Sequence, residues 1–158
     1  MVKWLQMQRF VQEVIYMSDI IRDMTEITRC GVQYRTEKLA PMGLKACHAS
    51  YLTEICSQPG ISQDTLSQRI CINKSNVARQ VVILEEGGFI RRESCCADKR
   101  VMKLYPTDKT LELMPQIQKI MADWEDFLTA SFSADECAQL EAALVSMKEK
   151  AASWMEAH

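Results

Sequence analysis

Within seven positions the chain places Lys74, Ser75, Asn76, Arg79 and Gln80. On a helix that turns Val77, Val81 and Leu84 inward, these five share the outward face. Their chemistry suits the major groove of duplex DNA. Lys and Arg donate to guanine edges, Asn and Gln match adenine, and Ser orients on phosphate or base. The helix N-terminus adds a positive end for a phosphate. A second basic pair, Lys99 and Arg100, suits the negative potential of an adjacent minor groove. Asp98 beside them is expected to pair with a nearby arginine and brace that segment, because a carboxylate facing phosphates would repel them.

Charge is distributed accordingly. The 158 residues carry a formal net charge of −2, which excludes a uniformly basic coat. From Arg69 to Lys103, however, eight basic residues face four acidic ones, giving +4 and leaving −6 for the remainder. A basic middle between acidic flanks fits one lobe built for a polyanion and others built for a different task.

Other chemistries find little material. There is no paired-carboxylate pattern, Gly-rich phosphate loop or Ser/His/Asp arrangement. One interior histidine, His48, is thin material for acid–base work, so no catalytic residue, enzymatic activity or cofactor is expected. The seven cysteines are odd in number and contain no C-x-x-C spacing, which disfavours a disulfide framework and a zinc finger. No metal site is expected, and reduced thiols in a cytoplasm are the plainer reading. Cys95 and Cys96 are nevertheless redox candidates. A bond between adjacent cysteines is strained, but two thiols beside Lys99 and Arg100 would ionise more easily, and their oxidation would disturb a DNA contact. No run of 18 apolar residues occurs, so no membrane span or membrane partner is expected. The first 30 residues carry Asp and Glu without a small-residue cleavage site, so no secretory leader is expected either.

The elements that must position these residues follow from period and punctuation. Met7, Phe10, Val14, Met17, Ile21 and Met24 form a heptad-like seam on a helix from about Trp4 to Thr28, ending near Gly31. After Pro41 and Gly43, a second helix runs from about Leu44 to Ser57, closed by Gln58-Pro59-Gly60. Ser62 caps a short helix over 63–70, and Asn73 caps the helix over 74–86, stopped by Gly87-Gly88. Strands are predicted at 89–93 and 101–105, joined by a projecting loop. Pro106 stops the second strand, and Thr107 caps a long helix bearing Leu113, Ile117, Ile120, Trp124 and Phe127, with a bend at Pro115. Ser133 to Glu136 is a capping box opening a last helix, whose seam is Cys137, Leu140, Leu144, Met147, Ala151 and Trp154. Three long amphipathic helices would leave much apolar area in water, so a homodimer held by the termini is expected.

Two helices and a two-stranded ribbon make the winged helix-turn-helix pattern, and here the chain resembles the MarR-type transcriptional regulators. The stretches that carry the resemblance are Ser57-Gln58-Pro59-Gly60-Ile61-Ser62-Gln63, then Leu84-Glu85-Glu86-Gly87-Gly88-Phe89-Ile90-Arg91-Arg92, then Asp98-Lys99-Arg100. Thr107-Asp108-Lys109 and the capping box also look like the family's landmarks. The chain departs from the family at Pro106 and Thr110, where Leu and Gly are usual. The resemblance implies a homodimeric regulator, often a repressor, whose paired helices enter successive major grooves of a pseudo-palindromic operator in double-stranded DNA. By position, Lys74, Ser75, Asn76 and Arg79 would face bases or phosphates, Arg100 would enter the minor groove, and Asp98 would brace the wing. Family members often bind small aromatic or phenolic effectors where the two lobes meet, so the resemblance makes His48 and Tyr51 candidate pocket residues; a satisfied surface or core histidine is the plainer reading. Some members sense oxidants through a cysteine near the first helix, where this chain has Cys30.

The fold class expected is therefore mainly α with a small β-ribbon wing. A winged helix-turn-helix domain would occupy 41–107, and 1–40 with 108–158 would form the helical dimerisation region. The function expected is a cytoplasmic DNA-binding regulator released by a small ligand or by thiol oxidation. The rival is a winged-helix protein–protein interaction module without specific DNA binding. Salt-sensitive DNA affinity separates the two.

Overall fold

The computed structural model describes residues 2–94 and 102–157, with side chains described from 19 to 94 and from 102 to 154. The fold is mostly helical with one small antiparallel sheet. Helix α1 spans Val2–Leu39 and runs straight through Gly31, where the sequence suggests a stop. Gly31 serves a close approach instead. A Cβ there would lie 3.1 Å from the indole nitrogen of Trp124 and 3.2 Å from Arg35. Tyr34, one turn on, stacks against Trp124 with ring centroids 5.1 Å apart. Cys30 consequently sits inside the helix rather than at its end. Of the predicted α1 seam, Ile21 and Met24 are exposed, and its earlier members lie outside the described side chains.

A 3-10 turn, Ala40–Met42, follows, and α2 covers His48–Ser57, starting later than the predicted Leu44. The residues between are used as a turn. The His48 N–H donates to Lys45 O at 2.9 Å, while the Lys45 N–H donates to His48 Nδ1 at 3.1 Å. Strand β1, Ile61–Ser62, was not legible in the sequence because two residues have no period. It pairs with the ribbon strand β3 through Ile61↔Leu104 and Ser62↔Lys103.

Helix α3 is Gln63–Arg69, and the Ser62 hydroxyl accepts the Thr65 N–H at 3.0 Å, as its capping position implies. The connection to α4 turns at Cys71, whose φ of 53° is a left-handed value that favours glycine. Ser67 holds this turn by donating to Ile72 O at 2.6 Å. Helix α4 is Lys74–Glu86, with the Asn73 side chain accepting the Asn76 N–H at 2.8 Å. Both boundaries and the buried set Val77, Val81 and Leu84 match the sequence reading. Those three join Leu39, Tyr51, Leu52, Ile55, Leu66 and Ile117 in one core.

Gly88, with φ of 72°, supplies the left-handed exit from α4. Strands β2 (Ile90–Ser94) and β3 (Met102–Pro106) pair antiparallel from Ile90↔Pro106 to Ser94↔Met102, giving the sheet order β1-β3-β2. Pro106 is thus the last strand residue rather than the first one beyond it. The connecting loop, with Cys95, Cys96, Asp98, Lys99 and Arg100, lies outside the described residues.

Helix α5 covers Asp108–Thr129 and continues unbroken through Pro115. Thr107 occupies its N-cap position, but its hydroxyl does not cap. Its single proton is shared instead between the carbonyls of Gly88 (2.8 Å) and Phe89 (3.0 Å). Thr110 donates to Phe89 O at 2.5 Å, and Lys109 to Gly87 O at 2.7 Å. Ile117 of the predicted seam is fully buried, Leu113 and Ile120 pack at the core's margin, and Phe127 is 72% exposed. Met114 is also buried, off the heptad-like pattern.

Helix α6, Ala134–Ala157, opens with the predicted capping box. Ser133 N–H donates to Glu136 Oε2 at 2.8 Å, and the Glu136 N–H donates back to Ser133 Oγ at 3.3 Å. Among the described residues no helix is long and apolar enough to cross a membrane.

Leu84 is the last apolar residue tying α4 to the core. Leu84→Ala is expected to cost about 2–5 kcal/mol in denaturant unfolding, the range for truncating a fully buried leucine. A loss below about 1 kcal/mol would mean that α4 is held by something other than its buried face.

Candidate nucleic-acid interface

Helices α3 and α4 stand as a helix-turn-helix pair, and burial of Val77, Val81 and Leu84 leaves the opposite face of α4 in water. Lys74, Ser75 and Arg79 are exposed there, while Asn76 and Gln80 are half-buried at its margin. Lys74 Nζ lies 3.0 Å from Asp64 Oδ1 on α3, with both side chains largely in solvent. Such a pair stabilises little and exchanges readily. The Ser75 hydroxyl donates to Asn73 Oδ1 at 2.9 Å. Arg79 Nη2 and Gln80 Nε2 each lie 3.5 Å from Asn76 Oδ1. The structure therefore brings the five predicted residues onto one helix but divides their roles: three face outward, and two also hold each other.

Gln80 reaches inward as well. Its Oε1 lies 3.1 Å from Nε2 of His48, whose residue is buried between α2 and α4. The other ring nitrogen accepts from Lys45 N–H, so both are satisfied. Burial pulls the His48 pKa below its ordinary value near 6.5, with the Gln80 bond opposing and the Lys45 charge adding. Tyr51 is fully buried, and its hydroxyl has no hydrogen-bond partner among the described residues. Burial pushes its pKa up; Cys47 adds to this and the charge of Arg79 opposes it. Two open surface cavities, of about 440 and 320 Å³, are lined by other residues: Tyr105, Thr107 and Leu111 among them in the first, and α1 residues Ile21 to Arg29 in the second. His48 and Tyr51 are thus both buried on α2, and neither lines these cavities.

The ribbon is pinned to α4 by a contact that the sequence did not reveal. Arg92 Nε donates to Glu85 Oε2 at 2.7 Å. That hydrogen bond holds the Glu85 carboxyl below the usual carboxylate range, against a smaller opposing effect of burial. Arg91 points to the other face of β2, with its guanidinium 4.5 Å from the Tyr105 ring centroid and paired to Glu93. The two adjacent arginines do point opposite ways, as strand alternation requires. No pattern of spacing announces the Glu85–Arg92 pair, because it joins a helix to a strand.

The remaining candidates are dispersed. Cys30 is exposed on α1 and Cys47 is exposed before α2, while burial pushes the half-buried Cys56 thiol up. Among the described residues no three His, Cys, Asp or Glu side chains gather as a metal site.

The buried ring of His48 gives a pH signature. It stays neutral in the folded chain and binds a proton more readily once unfolded, so stability should fall as pH drops from about 7 to about 5.5. Thermal unfolding across that window should show the fall in the wild type and a smaller one in His48→Gln. Equal slopes would mean that the ring titrates alike in both states.

Comparison with known proteins agrees with this geometry. Residues 46–102, from the turn before α2 to the start of β3, match the MarR family model. The chain is 27% identical over 128 residues to YybA, an uncharacterised HTH-type transcriptional regulator of Bacillus subtilis, spanning 81% of this chain and 85% of that protein. Among solved structures it is similar to the transcriptional regulator SlyA, at 27% identity and a TM-score of 0.85, covering 87% of this chain and 97% of the other. It is also similar to a MarR family regulator from Listeria monocytogenes solved with a 26mer DNA, at 27% identity and a TM-score of 0.82, covering 85% and 90% of the two chains. With the helix-turn-helix, the ribbon and the flanking long helices all in place, the chain has the fold of MarR-type winged helix-turn-helix transcriptional regulators, and its central residues 46–102 match that family's model.

Proposed function

We propose that this chain is a homodimeric repressor that binds a pseudo-palindromic operator in double-stranded DNA and is released by a small ligand or by thiol oxidation. The observation that carries the DNA reading is the solvent face of α4. Its buried side is fixed in the core, and Lys74, Ser75 and Arg79 stand outward at the end of a capped helix. The Listeria relative solved with DNA supports the same reading. In this account Lys74, Ser75, Asn76, Arg79 and Gln80 form the major-groove face, Lys99 and Arg100 address the neighbouring minor groove, and Asp98 braces the wing. The winged helix-turn-helix domain is 41–107, and the helical dimerisation region comprises 1–40 and 108–158.

The dimer rests on apolar surface. Ile20, Ile21 and Ile27 on α1, Phe127 on α5, and Leu140, Leu144 and Trp154 on α6 are all well exposed in the single chain. A second copy covering them would remove that area from water at about 25 cal/mol per Å². Release follows from geometry, since an effector or an oxidised thiol that changes the spacing of two α4 helices spoils their match to grooves ~34 Å apart. An effector acting at His48 and Tyr51 would have to open the packing that buries them. Cys30, Cys95 and Cys96 are the thiols proposed for an oxidant.

Selection from a random duplex library, on reduced protein and again after mild peroxide, tests the whole reading. An enriched palindrome is expected, with half-sites about one helical turn apart. No enrichment in either state would favour a protein-interaction module. Arg79→Ala should weaken binding to the enriched site by about 1–3 kcal/mol and relax base preference, and unchanged values would remove Arg79 from the readout. The double variant Leu140→Asp, Leu144→Asp should sediment as a monomer. A wild type that is already monomeric at micromolar concentration would end the dimer proposal.

A further inference from the structure

Asn76 stands at the end of a hydrogen-bond chain whose polarity is fixed from both sides. The chain starts at a backbone amide. Lys45 N–H has only a proton to give, so His48 Nδ1 accepts it. The neutral buried ring then carries its own proton on Nε2, and Gln80 Oε1 accepts that proton at 3.1 Å. With its oxygen turned inward, Gln80 directs its NH2 along α4 to Asn76 Oδ1, 3.5 Å away. From the other side Arg79 Nη2 approaches the same oxygen at 3.5 Å, and a guanidinium only donates. Two donors thus converge on the one carbonyl oxygen, each at the outer limit of hydrogen-bond distance. What Asn76 has left for a facing base is its NH2.

An asparagine that reads adenine needs both ends of its amide, the oxygen for N6–H and the NH2 for N7. The residue type alone permits that match, but this orientation does not. The geometry points to Asn76 reading a keto acceptor, guanine O6 or thymine O4, where adenine presents its N6–H2 donor instead, with His48 and Gln80 as positioning residues that hold its amide donor-outward. Lys74 and Arg79 on the same face are donors too. Ser75 is the exception, because its proton is already given to Asn73 Oδ1.

This inference rests on the reading of α4 as the DNA-contacting helix, and the experiment separates the two. Base preferences of the full chain are measured by library selection for the wild type, Asn76→Ala, His48→Asn and His48→Gln. The position whose preference flattens in Asn76→Ala is the one Asn76 reads. Guanine or thymine is expected there in the wild type, with adenine disfavoured by at least about fivefold, the low end for one specific base contact. Replacing His48 by Asn removes the donor to Gln80, so adenine should gain about fivefold at that position. Gln at 48 carries an NH2 where Nε2–H stood and should keep the wild-type preference. Adenine at that position in the wild type, no change in Asn76→Ala, or an unaltered preference in folded His48→Asn each overturns the inference while leaving α4 as the reader. No enrichment by the wild type overturns both. Should His48→Asn fail to fold, the ring nitrogen spectrum of the wild type decides, since the chain has only two histidines. A proton on Nε2 is expected, and a proton on Nδ1 overturns the inference.

Discussion

The carbonyl of Phe89 is where the two ends of the central unit are tied together. It accepts from Thr107 N–H at 3.1 Å, from the Thr107 hydroxyl at 3.0 Å and from the buried Thr110 hydroxyl at 2.5 Å. Lys109 adds its bond to Gly87 O and lies over the Phe89 ring, 3.9 Å from its centroid. Phe89 follows the end of α4, and Thr107 precedes α5, so the knot makes the exit of one helix and the entry of the next a single body. The Thr110 bond is buried and the Thr107 bond to Phe89 half-buried, while those to Gly88 and Gly87 lie at the surface. A buried hydrogen bond left unmade costs the full desolvation of its partners. Thr110, which the resemblance would not have suggested at this position, supplies the buried hydroxyl of the knot.

Three kinds of force hold α4, and they do different work. Val77, Val81 and Leu84 supply most of the energy, but apolar burial has no direction and tolerates rotation of a helix about its axis. The His48–Gln80 hydrogen bond on the α2 side and the Glu85–Arg92 ion pair on the ribbon side are directional, and they meet α4 at different points along its length. A helix anchored by a core stripe and two polar pins has one orientation. That orientation decides which residues of the face stand outward, and so what the surface presents to a ligand.

Legibility in the sequence tracked how local each signal is. The caps at Ser62, Asn73 and Ser133 were readable because each needs only a side chain and a backbone amide three residues away. The buried stripe of α4 was readable because it follows a single period. Gly31 misled because a helix stop and a close helix contact require the same residue, and only the position of Trp124 tells them apart. Thr107 misled in the same way, since a hydroxyl can accept from its own helix or donate to a carbonyl far along the chain. Strand β1, the burial of Met114 and the enclosure of His48 exist only through partners distant in sequence. The candidate interface was legible as a list of residues; the hydrogen-bond polarity within it was not.

The charge pattern suits such a surface at little cost in stability. The acidic remainder of the chain acts through solvent, where charges beyond about 8–10 Å are screened at physiological salt. The basic stretch can thus present its own sign locally while the molecule as a whole stays negative. The Lys74–Asp64 pair shows the same economy at short range. Both side chains are mostly in water, so the attraction is worth about 1 kcal/mol or less. That is enough to keep the lysine near the first turn of α4, where Asp64 partly neutralises its charge. It is too little to prevent exchange when a doubly or multiply charged anion arrives, because such an anion also meets the positive end of the α4 dipole. Such an exchange would leave Asp64 in solvent and would need no movement of the helix that carries Lys74.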